Sequence, residues 1–290
     1  MKQIDFEIDG HHLFCLAYNT DAKGTPVILL HGLLSSPYFW WKEHVKWFEK
    51  YGPIYAISLP GHFPSVFPNN DVKIDEDFLA KMVSGQIKYL VGDQPVILVG
   101  HSTGGEAALI SAIYHPEILE NLIIMSAKSH GRVTGGIFGF FQFIHCHLGF
   151  LGRWVFSAIV KANSFSRSVH KYLLSDVAYD KAMMFSYPGF DDYIDFYLPA
   201  QKRLDNKSME AYFKGLYEID FTDKLSEIQC PVLLLYSEND PYISVDDGKS
   251  IHQHIAQSEL KIIPNSGHLF MFETPETSYN ILTSWLDKTI

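Results

Sequence analysis

Four short apolar runs constrain this chain more than any other feature: Val27–Leu30, Ile54–Leu59, Val96–Val99 and Leu122–Met125. Each is apolar at successive positions, Ser58 apart, so a strand built from it needs cover on both faces, the condition of a parallel sheet clad with helices. Helix-patterned stretches lie between them, at Trp40–Tyr51, Asp75–Leu90 and Glu106–Tyr114. The order β-α-β-α-β-α-β predicts an α/β fold with a doubly wound, mostly parallel sheet. Ahead of it, Phe6–Ile8 and His12–Tyr18 flank Asp9-Gly10, a pair that accepts the positive φ of a tight hairpin turn.

The rhythm stops at Ser129 and resumes near the far end with Pro231–Tyr236, a helix around Asp246–Ile255, a strand at Leu260–Ile263 and a last helix at Pro275–Leu286. Residues 1–128 and 226–290 are therefore predicted to form one discontinuous core, and 129–225 an inserted, mainly helical cap. Amphipathic stretches such as Lys171–Tyr179 and Ser208–Tyr217 supply its helices. A length of 290 residues suits one core with an insertion better than two full domains. Aromatic residues concentrate in the insertion, with 20 of the 95 positions from Gly131 to Leu225 against 22 of the remaining 195. That enrichment predicts an apolar pocket roof, with Phe140 and Phe143 among the residues expected to set chain-length preference.

The net charge of -10 comes without a basic stripe, which argues against a nucleic-acid partner. The same balance predicts repulsion from an anionic membrane surface. Three cysteines, Cys15, Cys146 and Cys230, form no disulfide framework and no paired metal spacing; Cys146 and Cys230 read as buried apolar residues. The first ten residues mix Lys2, Asp5, Glu7 and Asp9 with apolar ones, unlike a signal peptide, so a cytoplasmic location is expected. From Val133 to Gly152 no residue is formally charged. The run reads as an apolar cap element, with weak contact with a lipid surface as the alternative. Gln142, His145, His147 and several glycines argue against an integral membrane span.

The sharpest local signal is Gly100-His101-Ser102-Thr103-Gly104, placed between a strand and a helix. A strand-turn-helix elbow there holds a serine hydroxyl out above the sheet. A hydroxyl is a weak nucleophile and needs a base, which in turn needs an orienting carboxylate. Asp240 follows the Pro231 strand in Ser-Glu-Asn-Asp-Pro, and His268 follows the Leu260 strand in Asn-Ser-Gly-His-Leu. Ser102, Asp240 and His268 thus stand in nucleophile, acid, base order, with Glu238 the rival acid. After Val27–Leu30 comes His31-Gly32-Leu33-Leu34, so the backbone N–H groups of Leu33 and Thr103 are the candidate oxyanion donors. The other histidines in these loops, His31, His62 and His101, read as loop-shaping hydrogen bonders. His145-Cys146-His147 lacks a second ligand cluster, and its i, i+2 side chains diverge on a helix, so neither a metal nor a cofactor is expected.

With these residues the chain resembles the α/β-hydrolase fold superfamily, in the serine branch that carries a helical cap. Leu59-Pro60-Gly61-His62 and the stretch from Gly267-His268 to Glu273-Thr-Pro-Glu276 strengthen the resemblance. The family usually writes Asp-Leu-Pro-Gly-His-Gly-x-Ser where this chain has Ser58-Leu-Pro-Gly-His-Phe63-Pro-Ser65. The resemblance implies hydrolysis of a small ester or thioester with an apolar acyl or alcohol part through an acyl-enzyme. It disfavours dehalogenases and epoxide hydrolases, which use an aspartate nucleophile, and hydroxynitrile lyases, which place a lysine where this chain has Leu269. Carbon-carbon bond hydrolases are disfavoured by Leu33-Leu34-Ser35-Ser36. An acyltransferase working through the same acyl-enzyme, and a ligand-binding protein of this fold without turnover, are the alternatives.

Overall fold

The computed structural model describes residues 1–69, 71–132 and 136–290, apart from the side chains of 136–138, 141, 159 and 163. Eight strands form one sheet: β1 (Lys2–Ile8), β2 (His11–Tyr18), β3 (Val27–Leu30), β4 (Ile54–Ile57), β5 (Val96–His101), β6 (Leu119–Met125), β7 (Val232–Ser237) and β8 (Ser258–Ile263). Their spatial order is β1-β2-β4-β3-β5-β6-β7-β8, with the β1–β2 and β2–β4 pairs antiparallel and the rest parallel. The hairpin at Asp9-Gly10 turns with both residues at positive φ.

The apolar runs are apolar at every position because the sheet divides them between two cores. Ile28, Leu30, Val96, Leu98, Leu122, Ile124, Val232 and Leu234 point to one face. Their alternates, Val27, Leu29, Ile97, Val99, Ile123, Met125, Leu233 and Leu235, point to the other. This is the two-residue period of a strand read out on a sheet covered twice. The first face is covered by α2 (Glu76–Val91), α3 (Thr103–Tyr114) and α10 (Val245–His254), and the second by α1 (Lys42–Val45), α11 (Phe270–Glu273) and α12 (Pro275–Thr289).

One expected helix is absent in the form anticipated. Trp40–Tyr51 holds α1 flanked by two single-turn 3-10 segments, 37–39 and 46–48. Trp40, Trp41, Val45, Trp47 and Phe48 are all buried at the spacing of one helix face, so the apolar pattern is kept although the helix is not continuous. The segment breaks into short turns that seat them separately.

Between β6 and β7 the described residues form six helices: α4 (Gly136–His147), α5 (Gly149–Asn163), α6 (Arg167–Ser175), α7 (Lys181–Ser186), α8 (Phe190–Gln201) and α9 (Asn206–Glu218). Residues 133–135 of the uncharged run lie outside the described residues; the rest of it makes α4 and the start of α5. Among the described residues no helix is long and apolar enough to cross a membrane. Cys15 is buried as a small apolar residue, whereas Cys146 and Cys230 are only half-buried, and all three are free thiols.

The chain leaves β3 toward β4 on one side and returns to β5 on the other, so the strand order reverses at the β3–β5 pair. A crevice opens beyond the carboxyl ends of strands at such a point. Both the loop after β3 and the turn after β5 emerge there.

Candidate active site

The turn after β5 is built by steric exclusion. Ser102 stands at φ 54° and ψ -123°, a conformation that costs a non-glycine residue on the order of 1–3 kcal/mol. Its carbonyl accepts the N–H groups of Gly105 and Glu106 at 2.8 and 3.1 Å, which starts α3. A Cβ at Gly100 would fall 2.3 Å from the Gly104 carbonyl oxygen, and one at Gly104 would fall 2.5 Å from that of His31. Both flanking glycines are required because backbone passes where a side chain would stand.

Asp240 lies in the loop after β7 with its side chain fully buried. Its Oδ1 accepts the N–H groups of Tyr242 and Ile243 at 2.9 and 3.0 Å, and its Oδ2 accepts Nδ1–H of His268 at 2.7 Å. Burial pushes the carboxyl pKa up, but the charge and hydrogen bond of His268, joined by the two amides, outweigh burial and hold it below the usual value. That bond leaves Nε2 of a neutral His268 as the proton acceptor. Glu238 is exposed and accepts instead from the Asn265 amide at 3.3 Å, so the rival acid is elsewhere.

Two further anchors hold the histidine. The His268 N–H donates to the Val177 carbonyl at 2.9 Å, tying it to the segment between α6 and α7. Glu273, buried at the end of α11, accepts Gly267 N–H at 2.8 Å and Asp180 N–H at 2.7 Å, spanning the same two segments. Its positioning role is invisible in the sequence, since an acid beside a Thr-Pro helix start reads as a capping residue.

In the loop after β3, His31 donates through Nδ1 to the Gly32 carbonyl at 2.8 Å and accepts Leu59 N–H on Nε2 at 3.1 Å. Burial lowers its pKa to about 4, so the ring stays neutral and holds two loops together. His101 likewise donates through Nε2 to the His268 carbonyl at 3.0 Å, and burial takes its pKa down to about 3. His62 is also buried, its ring against those of His31 and Tyr212. Leu34 adopts φ 52°, turning the chain so that Leu33 lies on the crevice. Among the described residues no hydrogen bond takes up the amides of Leu33 or Thr103. Thr103 is the first residue of α3, where the N–H has no partner within the helix.

Ser102, His268, Leu33 and Thr103 all border one cavity of about 350 Å³. Leu34, Phe39, Leu173, Leu174, Val177 and Tyr197 give it an apolar wall, and helices α4, α5, α6, α8 and α9 all contribute to the enclosure. The aromatic roof is not the one expected. Phe140 and Phe143 are 60% and 53% exposed on α4, and the aromatic rings at the cavity are Phe39, Tyr197, Phe213 and Tyr242. The helix period turns Gln142 inward between them.

The cavity also holds an acid that the sequence did not mark. Glu106, one turn into α3, is 7% exposed, and its Oε2 is buried without a hydrogen-bond partner. Burial raises its pKa to about 8, against the lowering influence of Lys128, which leaves it mostly protonated at neutral pH. The available signal is a lone acid in Thr103–Tyr114, a helix buried almost throughout. His145 is buried and His147 exposed, and among the described residues no group of three or more His, Cys, Asp or Glu is placed to hold a metal.

Residues 25–275 match the family model described as alpha/beta hydrolase fold. A relative from Bacillus subtilis, an uncharacterized hydrolase named YugF, is 27% identical over 277 residues, 93% of each chain. Among solved structures, an enol-lactonase from Burkholderia xenovorans superposes with a TM-score of 0.76 at 14% identity, covering 98% of this chain and 100% of that one. The esterase RhEst1 from a Rhodococcus species gives 0.75 at 16% identity, with both chains covered completely. The chain belongs to the α/β-hydrolase fold family and stands there as a hydrolase with esterase-like neighbours.

Proposed function

We propose that the protein is a serine hydrolase of carboxylic esters or thioesters with an apolar acyl or alcohol part, using Ser102, His268 and Asp240. The observation that carries this reading is the 2.7 Å bond from His268 to buried Asp240, with Ser102 on the same cavity in a left-handed turn. Nε2 of His268 takes the proton from Ser102 Oγ as the oxygen attacks the carbonyl carbon, and returns it to the leaving alcohol or thiol. Water then attacks the acyl-enzyme by the same proton path. Asp240 fixes the imidazole tautomer and stabilises the imidazolium. The Leu33 and Thr103 amides donate to the oxyanion, a contribution of about 3–4 kcal/mol per donor in such sites. The apolar wall supplies binding for the substrate chain, and residues 129–225 serve as a cap over a core of 1–128 and 226–290. No group beyond these side chains and amides is required by the steps. Three free thiols suit a reducing, cytoplasmic setting.

The test is labelling by a fluorophosphonate together with turnover of a graded series of acyl esters. Labelling and turnover are expected in the wild type and both should vanish in Ser102→Ala. Full hydrolysis by that variant would overturn the assignment.

A further inference from the structure

The charge of this chain is strongly segregated. From Asn121 to Ser175 there is no Asp or Glu at all, although the chain has 33, whereas six of its 23 Lys and Arg fall there. Three of the six are neutralised: Lys128 lies near Asp247, and Arg167 and Lys171 pair with Asp191 and Asp195. Arg132, Arg153 and Lys161 make no ion pair among the described residues, and neither does Lys214 across from them on α9. Arg132, Arg153 and Lys214 flank a groove of about 360 Å³ in which Glu218 is the one carboxylate among the described residues.

Six of the 18 exposed large apolar side chains among the described residues lie in the same place. α4 and α5 form a hairpin, pressed together where Gly152 meets the Ile144 carbonyl. Gly152, Phe156 and Val160 face inward along α5. At the turn Phe143, Leu148, Phe150, Leu151 and Trp154 all face solvent, with Phe150 77% and Trp154 64% exposed. An apolar cap element would be covered; this one is uncovered, rimmed by cations, and made of helices of 12 and 15 residues, too short to span a bilayer.

We propose that the α4–α5 hairpin is an interfacial docking surface for a bilayer containing anionic phospholipid. Phe150, Leu151 and Trp154 enter the boundary between headgroups and acyl chains, and Arg153, Lys161 and the groove cations meet lipid phosphates. The net charge of -10 does not oppose this, because charges farther than about 8 Å from the contact are screened at physiological salt. Pairing of two copies through the tip would set the same cations against each other, which disfavours self-association as the cover. Gln142 and Ala162 of this hairpin line the cavity, so a docked bilayer lies beside the pocket.

The experiment is flotation of the full chain with vesicles of phosphatidylcholine, with and without equimolar phosphatidylglycerol, in the wild type and in Ser102→Ala. The second protein separates this inference from the serine reading, since docking needs no turnover. Recovery with anionic vesicles is expected to exceed that with neutral ones by about tenfold and to fall at high salt. Trp154 is the one exposed tryptophan among the described residues, so brominated lipid should quench its share of the emission, and Trp154→Phe should remove that quenching. Arg153→Glu with Lys161→Glu should abolish the preference for anionic vesicles. Phe150→Ser with Leu151→Ser should cut binding about tenfold, while Tyr89→Ser, an exposed aromatic on α2, leaves it unchanged. Circular dichroism confirms that each variant is folded. Equal recovery with both vesicle types, or binding indifferent to these changes, overturns the proposal. So does a dimer, seen by sedimentation, that Phe150→Ser dissociates while vesicles fail to bind.

Discussion

The crevice at the carboxyl ends of β3 and β5 and the helical segment above it obey different rules. Below, backbone dictates side chain: Gly100, Gly104 and Ser102 occupy positions where another residue collides or strains. Above, apolar residues of several kinds enclose the cavity, and exposed Phe143 shares α4 with buried Gln142. On the proposed function, reaction chemistry is held by exclusion and substrate choice by surface, and the two should respond differently to substitution.

The largest effect is expected from Asp240→Asn, which keeps the shape but presents the wrong tautomer to His268. Ester turnover should fall about 10³–10⁴-fold with melting temperature nearly unchanged, as read by steady-state kinetics and calorimetry. Next is Gly104→Ala, which sets a methyl group 2.5 Å from a backbone oxygen. A loss of about 2 kcal/mol or more in urea unfolding is expected. An unaffected midpoint would break the claim that exclusion builds the elbow.

Within the upper region, Leu174→Trp should narrow the cavity and lower kcat/KM for long acyl esters about tenfold, sparing short ones. Phe143→Ala on the outer face should leave that profile within about twofold. If Phe143 moved the profile and Leu174 did not, the inward and outward assignments would be reversed.

The smallest effect concerns Glu106, whose pKa rises from 4.5 to about 8 on burial. The folded state then binds a proton that the unfolded chain has lost, so stability falls as pH rises across that window. Glu106→Gln has no such proton. Its melting temperature should gain on the wild type by about a few degrees from about pH 5 to about pH 8, with the gain growing upward in pH. A constant difference would show that the acid does not titrate there.

Much of the lower region was legible because its constraints are local. Successive apolar residues state that a strand is covered twice, and glycines around Ser102 state that backbone passes close by. Trp40–Tyr51 misled because its buried residues keep the spacing of a helix face while the backbone passes into 3-10 turns beside α1, a change of hydrogen bonding that spacing does not show. Glu106 and Glu273 carry no local mark: one is defined by what closes over α3, the other by two segments that meet only in the folded chain. The outward turn of Phe140 and Phe143 was hidden for the same reason, since an apolar residue does not announce whether anything will cover it.

The two-sided burial of the central strands has a consequence for alignment during folding. In a sheet with one wet face, a slip of one residue exposes apolar groups and buries polar ones, which penalises the error. β5 offers no such penalty, because each of its side chains is apolar or buried whichever way it points. What marks the correct alignment against β3 is Gly104, just past the strand, where a Cβ would fall 2.6 Å from the Leu30 carbonyl oxygen and 2.5 Å from that of His31. A residue that shapes the turn at Ser102 therefore also acts as the index mark by which β5 finds its place beside β3.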